Sequence, residues 1–205
     1  MGHRTYDQYC PVAAALDVVG DRWTLLIMRE LLAGDRRFTD LRTALPGIAP
    51  NLLSERLRDL QAEGLVEHKE LPPPAARTVY SATADGRSVA PVLQSLARFG
   101  VRRLGPPDDA APTPRMAVFG MLSSFHRPEP DGSRFHTRVE VDGEMFDVLT
   151  DGPRLSLRAR PTDQPDLTVR TTARDLVAAR QGLRPLTVEA DPLVRERFVQ
   201  LFQLA

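Results

Sequence analysis

Cysteine is almost missing from this chain: Cys10 is alone among 205 residues, so no disulfide can close within it and a disulfide scaffold is excluded. Lysine is as scarce. Lys69 stands alone and the other 26 of the 27 basic residues are arginine, most simply a matter of base composition, although forked guanidinium donors also suit phosphate. Neither sign of charge is in excess, with 27 basic and 27 acidic residues, so bulk electrostatics names no partner. No apolar run reaches the roughly 18 to 20 residues of a membrane helix, and no signal-peptide pattern precedes Tyr6. The expectation is a soluble, cytoplasmic protein with no membrane partner. With 42% hydrophobic and 26% charged residues, the composition is that of a folded chain, neither disordered nor collagen-like.

Catalytic signatures are missing too. There is no Gly-rich phosphate loop and no nucleophile elbow, and His3, His68, His126 and His136 lie at no metal-ligand spacing. The pair Asp108-Asp109 reads as solvated. The expectation is a protein that is not an enzyme and needs no cofactor or metal.

What is present divides at proline. The stretch from Gly105 to Pro114 holds Pro106, Pro107, Pro112 and Pro114 and has no apolar periodicity, so residues 106–114 read as a semi-rigid linker between domains at 1–105 and 115–205. Up to Gly105 there are 14 basic and 12 acidic residues, and beyond it 13 and 15, an asymmetry too slight to identify nucleic-acid binding.

The first domain reads as a run of helices. Pro11 opens one containing Val12, Leu16 and Val19; a nearly all-apolar one runs from Trp23 to Leu32; Thr39 caps a short third that Pro46-Gly47 ends. A fourth runs from Pro50 to about Glu63. Two strands, Val66–Leu71 and Thr78–Ala82, flank a tip of three prolines, and Asp85–Leu104 is helical again. At 100° per residue, Leu53, Leu57 and Leu60 of the fourth helix form a core stripe. Asn51, Ser54, Glu55 and Arg58 then point away from it, with the short or forked hydrogen-bonding side chains that reading bases in a major groove requires. The same face alone fits an ordinary solvated surface; the capped helix before it and the two-stranded wing after it favour DNA. Thr39, Arg42, Arg56, Lys69 and Arg77 are candidate phosphate contacts. Val89, Val92, Leu93, Leu96 and Phe99 in the last helix offer more apolar surface than a thin wing domain covers, and Val12, Leu16 and Val19 on the first helix offer a matching one; either face fits packing within one subunit as well as between two.

Cys10-Pro11-Val12 and the stretch from Ala15 through Gly20-Asp21-Arg22-Trp23 to Ile27 resemble the HxlR-type winged-helix regulators. Arg37 to Arg42, Leu45 to Ile48, Leu53 to Leu57, Gly64-Leu65-Val66, Tyr80, Thr83, Gly86-Arg87 and Pro91 to Leu93 continue the resemblance across roughly residues 6 to 104. It implies a homodimeric bacterial transcription factor on a roughly twofold operator, dimerised through its terminal helices, with recognition helices about 34 Å apart. The proline-rich wing tip departs from the family and leaves Lys69 and Arg77 as the wing's phosphate contacts. The resemblance also makes Cys10, at the amino end of the first helix, a candidate redox or electrophile sensor; a structural cysteine in an apolar niche is the favoured alternative, since free cysteine is commonly buried.

Beyond Phe135 the apolar period becomes two. Strands are expected at Phe135–Val141, around Phe146 and Val148, at Leu155–Ala159, at Leu167–Thr171 and at Leu186–Ala190, with helices at Met116–Phe125, Arg174–Arg180 and after Asp191. This is an α+β domain with an antiparallel sheet and helices on one face. Val139 to Glu144, Phe146 to Val148, Arg154 to Leu157, Asp166 to Val169 and the Thr172-capped helix are similar to the sterol-carrier-protein-like domain. That resemblance implies an apolar tunnel for a lipid-like effector, lined by Phe119, Leu122, Phe146, Val148, Leu157, Val169, Leu176, Phe198 and Phe202, residues that equally suit a plain core. The combined expectation is a one-component regulator: a mainly-α winged helix-turn-helix that binds double-stranded operator DNA as a homodimer, followed by a ligand-sensing domain. The alternative is a lipid or isoprenoid carrier whose winged helix serves only dimerisation or protein docking.

Overall fold

Proline opens four of the helices, where its missing N–H is not needed and its fixed φ suits the first turn. These are α1 (Pro11–Val19), α4 (Pro50–Ala62), α6 (Pro114–Ser123) and α8 (Pro192–Phe202). The structure, a computed structural model, describes residues 5–71, 77–101, 103, 112–123, 134–151, 154–158, 164–188 and 190–202. The chain separates into two compact units, residues 1–93 and 94–205. Of the expected linker, residues 106–111 lie outside the described residues, as do the proline tip of the wing and Phe125 with His126.

In the first unit α2 (Thr24–Leu32), α3 (Phe38–Ala44) and α4 close a core of Ile27, Met28, Leu31, Leu41, Leu45, Leu53, Leu57 and Leu60. The stripe expected on the fourth helix is therefore its buried one. Two helix starts differ from expectation. Trp23 stands just outside α2 in a left-handed conformation, φ 81°, instead of opening it. Thr39 lies inside α3, which is capped instead by the Asp40 carboxylate accepting from the Arg37 backbone N–H at 3.1 Å. Strands β1 (Val66–Glu70) and β2 (Thr78–Ala82) form the expected antiparallel wing. The last helix is broken at its start: a 3-10 turn over Gly86–Val89 precedes α5 (Ala90–Val101), because Pro91 fits only a first helical turn.

In the second unit β3 (Arg134–Val141), β4 (Glu144–Asp151), β5 (Arg154–Arg158) and β6 (Leu167–Thr171) form one sheet in the order β5-β4-β3-β6. The expected antiparallel sheet is corrected here. β3, β4 and β5 are antiparallel neighbours, but β6 lies parallel to β3, with Val139 opposite Val169. Period-two alternation is the same for either strand direction, so it cannot tell a meander from a mixed sheet. Of the expected fifth strand, Glu189 lies outside the described residues; residues 186–188 are in no ladder, and only Val188 of the three is buried. The Arg115 guanidinium of α6 lies over the Phe146 ring at 5.7 Å, and that of Arg197 in α8 over Phe135 at 4.9 Å. Phe135 and Phe146 share a sheet face by register, so α6 and α8 cover the same face. α7 (Ala173–Arg180) packs on α6 and is capped by Thr172, whose hydroxyl accepts from the Asp175 N–H at 3.1 Å.

Candidate nucleic-acid interface

The candidate residues are arranged around the turn between α3 and α4. Gly47 takes φ +92° there, where a side chain is strained, and a Cβ would sit 3.7 Å from the Trp23 indole. Trp23, itself beneath the Arg22 guanidinium at 5.4 Å, therefore lies beside the turn that precedes α4. Leu53, Leu57 and Leu60 seat α4 on the core, and Asn51, Ser54 and Arg58 are exposed on its other side, with Glu55 half-buried at its edge. Thr39 and Arg42 are exposed on α3, and Arg77 is exposed at the foot of β2.

Two of the nine candidates are placed differently. Lys69 donates to Ser81 Oγ at 3.1 Å and lies 3.0 Å from Glu67 Oε1, so its ammonium is already engaged on the wing. Arg56 leaves the exposed group altogether. Its Nη1 lies 2.6 Å from Asp21 Oδ2 and 2.8 Å from Asp59 Oδ2, and Nη2 is 3.6 Å from Glu55 Oε1. Arg56 and its partners line a groove of about 890 Å³ between the first-helix segment and α4, together with Leu16, Asp17 and Glu63. The helical wheel held a signal for this, since Arg56 falls 60° from Leu53, nearer the core stripe than the exposed face. Its partner Asp21 carried none.

Sequence reasoning also missed how the wing is joined to the helices. Arg36 and Tyr80 form an antiparallel bridge, and behind it the fully buried Glu30 accepts from Arg29 Nη2 at 2.8 Å, with Arg36 Nη2 at 3.9 Å. The His68 and Tyr80 rings pack across the wing in a tilted arrangement, centroids 4.2 Å apart and planes at 54°. Burial raises the Tyr80 phenol above its ordinary pKa.

Outside this interface, the surplus of apolar surface on the first and last helices is smaller than expected: Val89 and Leu93 are buried and Val19 half-buried, while Val12, Leu16, Val92, Leu96 and Phe99 are exposed. Cys10 is half-buried at the N-cap of α1. In the second unit the candidate tunnel residues lie between sheet and helices. Phe146, Val148, Leu157 and Val169 share one sheet face by register. Phe119, Leu122, Leu176, Phe198 and Phe202 come from α6, α7 and α8, and all nine are buried except Leu157, which is half-buried. On the other sheet face Asp147 is buried and accepts from Arg138 Nε at 2.8 Å, with His136 Nε2 at 3.1 Å. The Asp147 hydrogen bond chiefly raises the Arg138 pKa, against the opposing effect of burial. Among the described residues no group of three or more histidines, cysteines or carboxylates could hold a metal ion, and no helix is long and apolar enough to cross a membrane.

Residues 18–107 match the family description "HxlR-like helix-turn-helix". Over 100 residues the chain is 35% identical to the uncharacterized HTH-type transcriptional regulator YvaP of Bacillus subtilis, covering 48% of this chain and 93% of that protein. It is 37% identical over 91 residues to the regulator sll1512 of Synechocystis, covering 44% of this chain and 67% of that one. Among solved structures, the reduced form of the B. subtilis transcriptional regulator YodB is 29% identical, with 49% of this chain and all of that one covered and a TM-score of 0.42.

Proposed function

The chain belongs to the HxlR-like helix-turn-helix family of transcriptional regulators through residues 18–107, and from that premise we propose that it acts in the cytoplasm as a homodimer on a roughly twofold-symmetric operator. In this reading Asn51, Ser54, Glu55 and Arg58 read base edges, and Thr39, Arg42 and Arg77 meet phosphates, with Lys69 joining them by releasing Glu67. The observation that carries it is the two-sided character of α4: leucines seated in the core on one side, and Asn51, Ser54 and Arg58 exposed on the other. The exposed apolar positions of α1 and α5 support self-association, and twofold symmetry sets the two recognition helices about one DNA turn apart.

The residues beyond the linker act, in the same reading, as a sterol-carrier-like sensor for a small apolar effector. The apolar layer around Phe146, Leu176, Phe198 and Phe202 supports this. Modification of Cys10 is a second input, supported by its half-buried place at the start of α1.

Selection of duplexes from a random-sequence DNA pool tests the function. The expected result is one enriched, near-palindromic sequence, bound with an affinity that falls steeply with salt. No enrichment, with salt-independent behaviour, would leave the carrier reading in its place. Native mass spectrometry of the purified protein tests the sensor: a dimer with added non-covalent mass is expected, and a clean dimer would move sensing to Cys10.

A further inference from the structure

We propose that Arg56 is a positioning residue for DNA recognition, a strut that fixes the recognition helix α4 against the end of α1 through Asp21, and not a phosphate contact. The inference rests on the DNA-binding reading above and says which residue outside the contact face determines specificity.

The geometry is of one cation shared by carboxylates on two elements. Asp59 and Glu55 lie on α4 with Arg56, so those two pairs stiffen the helix without placing it. Asp21 is different. It follows Gly20, the C-cap of α1, and precedes Arg22 and Trp23, so the 2.6 Å bridge from Arg56 Nη1 to Asp21 Oδ2 ties the middle of α4 to the junction of α1 and α2. An exposed ion pair of this kind contributes little to stability, because solvent screens it and side-chain entropy opposes it. The Arg56 side chain, however, is only 17% exposed and has carboxylates on either side. Its guanidinium is held between carboxylates of two elements, and in this proposal its release lets α4 rotate about its leucine stripe. Asn51, Ser54 and Arg58 sit on the opposite side of that axis, so a small rotation moves them relative to a base edge, where hydrogen bonds tolerate little error. The groove beside Arg56, lined by Leu16, Asp17, Asp59 and Glu63, gives the strut's neighbours space in which to move. The strut reaches the segment that carries Cys10 and the exposed Val12 and Leu16, so whatever shifts α1 shifts α4 through the same bridge.

The test uses the full chain and two probes: the duplex the wild-type protein enriches from a random pool, and an unselected random-sequence duplex. Arg56→Ala and Asp21→Asn should each lose about tenfold in affinity for the enriched duplex, a size typical of residues that couple sites without touching the ligand. Binding to the unselected duplex, and the slope of log affinity against log salt, should be unchanged. The exchange Asp21→Arg with Arg56→Asp should recover most of the loss. Asp21→Asn changes a side chain that is 62% exposed, so it folds even where Arg56→Ala does not. The inference is overturned if Arg56→Ala weakens both probes equally and lowers the salt slope by about one unit, the mark of a phosphate contact. It is also overturned if Asp21→Asn is silent or the exchange recovers nothing. Failure of the wild-type protein to enrich any duplex would instead remove the DNA-binding reading on which it stands.

Discussion

Arg36 and Tyr80 exchange both of their backbone hydrogen bonds, Arg36 N–H to Tyr80 O at 3.0 Å and Tyr80 N–H to Arg36 O at 2.7 Å. The loop between α2 and α3 is thereby the wing's third strand for one residue pair, so main-chain hydrogen bonds help register the wing against the helices. The same junction sets the chemistry of the Tyr80 side chain.

Burial raises the Tyr80 phenol pKa, and so favours its neutral form in the folded state. The sign follows from proton counting: between the unfolded value of about 10 and the raised folded value, the folded chain binds more protons, so this contribution is complete below about pH 10 and is lost as pH rises through the folded pKa. Tyrosinate absorbance on alkaline titration should show a component above the ordinary range that Tyr80→Phe removes. A variant that loses only an ordinary-range component would show that the phenol is not desolvated.

Gly86 closes the same region. Its N–H donates to Thr83 Oγ1 at 3.0 Å, and the Thr83 hydroxyl donates to Gly64 O at 2.7 Å. A Cβ at Gly86 would stand 2.0 Å from the Leu65 carbonyl oxygen, which is backbone and cannot move aside. Gly86→Ala should therefore destabilise the first unit by about 1–3 kcal/mol, the usual range for an overpacked site. Denaturant unfolding of the variant checks this, and an unchanged midpoint would mean that the backbone there is more compliant than its contacts indicate.

The two faces of α4 were legible from residue spacing because a 100° wheel needs no knowledge of distant residues: Leu53, Leu57 and Leu60 are buried, and Asn51, Ser54 and Arg58 are exposed. The exposure of Val12, Leu16, Val92, Leu96 and Phe99 was legible in the same way, but Val89 and Leu93 of the same stripe are buried. What escaped was whatever depends on a partner far along the chain. Asp21 gives no sign in sequence that it will hold Arg56, nor Tyr80 that it will pair with Arg36. The direction of β6 escaped because Leu167 and Val169 alternate identically in a parallel or an antiparallel ladder. At the strand expected over Leu186–Ala190 the alternation is present, but the described residues 186–188 join no ladder.

The exposed apolar positions of α1 and α5 make an oligomerisation test direct. Phe99 is 60% exposed, with the Arg103 guanidinium 3.7 Å above its ring. Phe99→Asp removes no core contact, so circular dichroism and unfolding should be unchanged. Sedimentation velocity should show the dimer constant raised at least ~10-fold, as expected for an aromatic anchor at an interface. A variant that remains dimeric at the same concentration would place the interface elsewhere.

Arg58 and Arg42 are both exposed, on α4 and α3, yet the proposed roles separate them. A base-reading Arg58 makes paired hydrogen bonds to one base edge, so Arg58→Ala should cost about 1–3 kcal/mol on the enriched duplex and relax the sequence preference at one position in each half-site. Its effect on unselected DNA should be smaller. Arg42→Ala, which removes a phosphate contact, should weaken both duplexes to the same degree and reduce the salt slope by about one unit. Repeating the random-pool selection with each variant distinguishes the two, because only Arg58→Ala should alter the enriched sequence. An unaltered sequence from Arg58→Ala, with equal losses on both duplexes, would move Arg58 to the backbone and leave Asn51 and Ser54 to carry the readout.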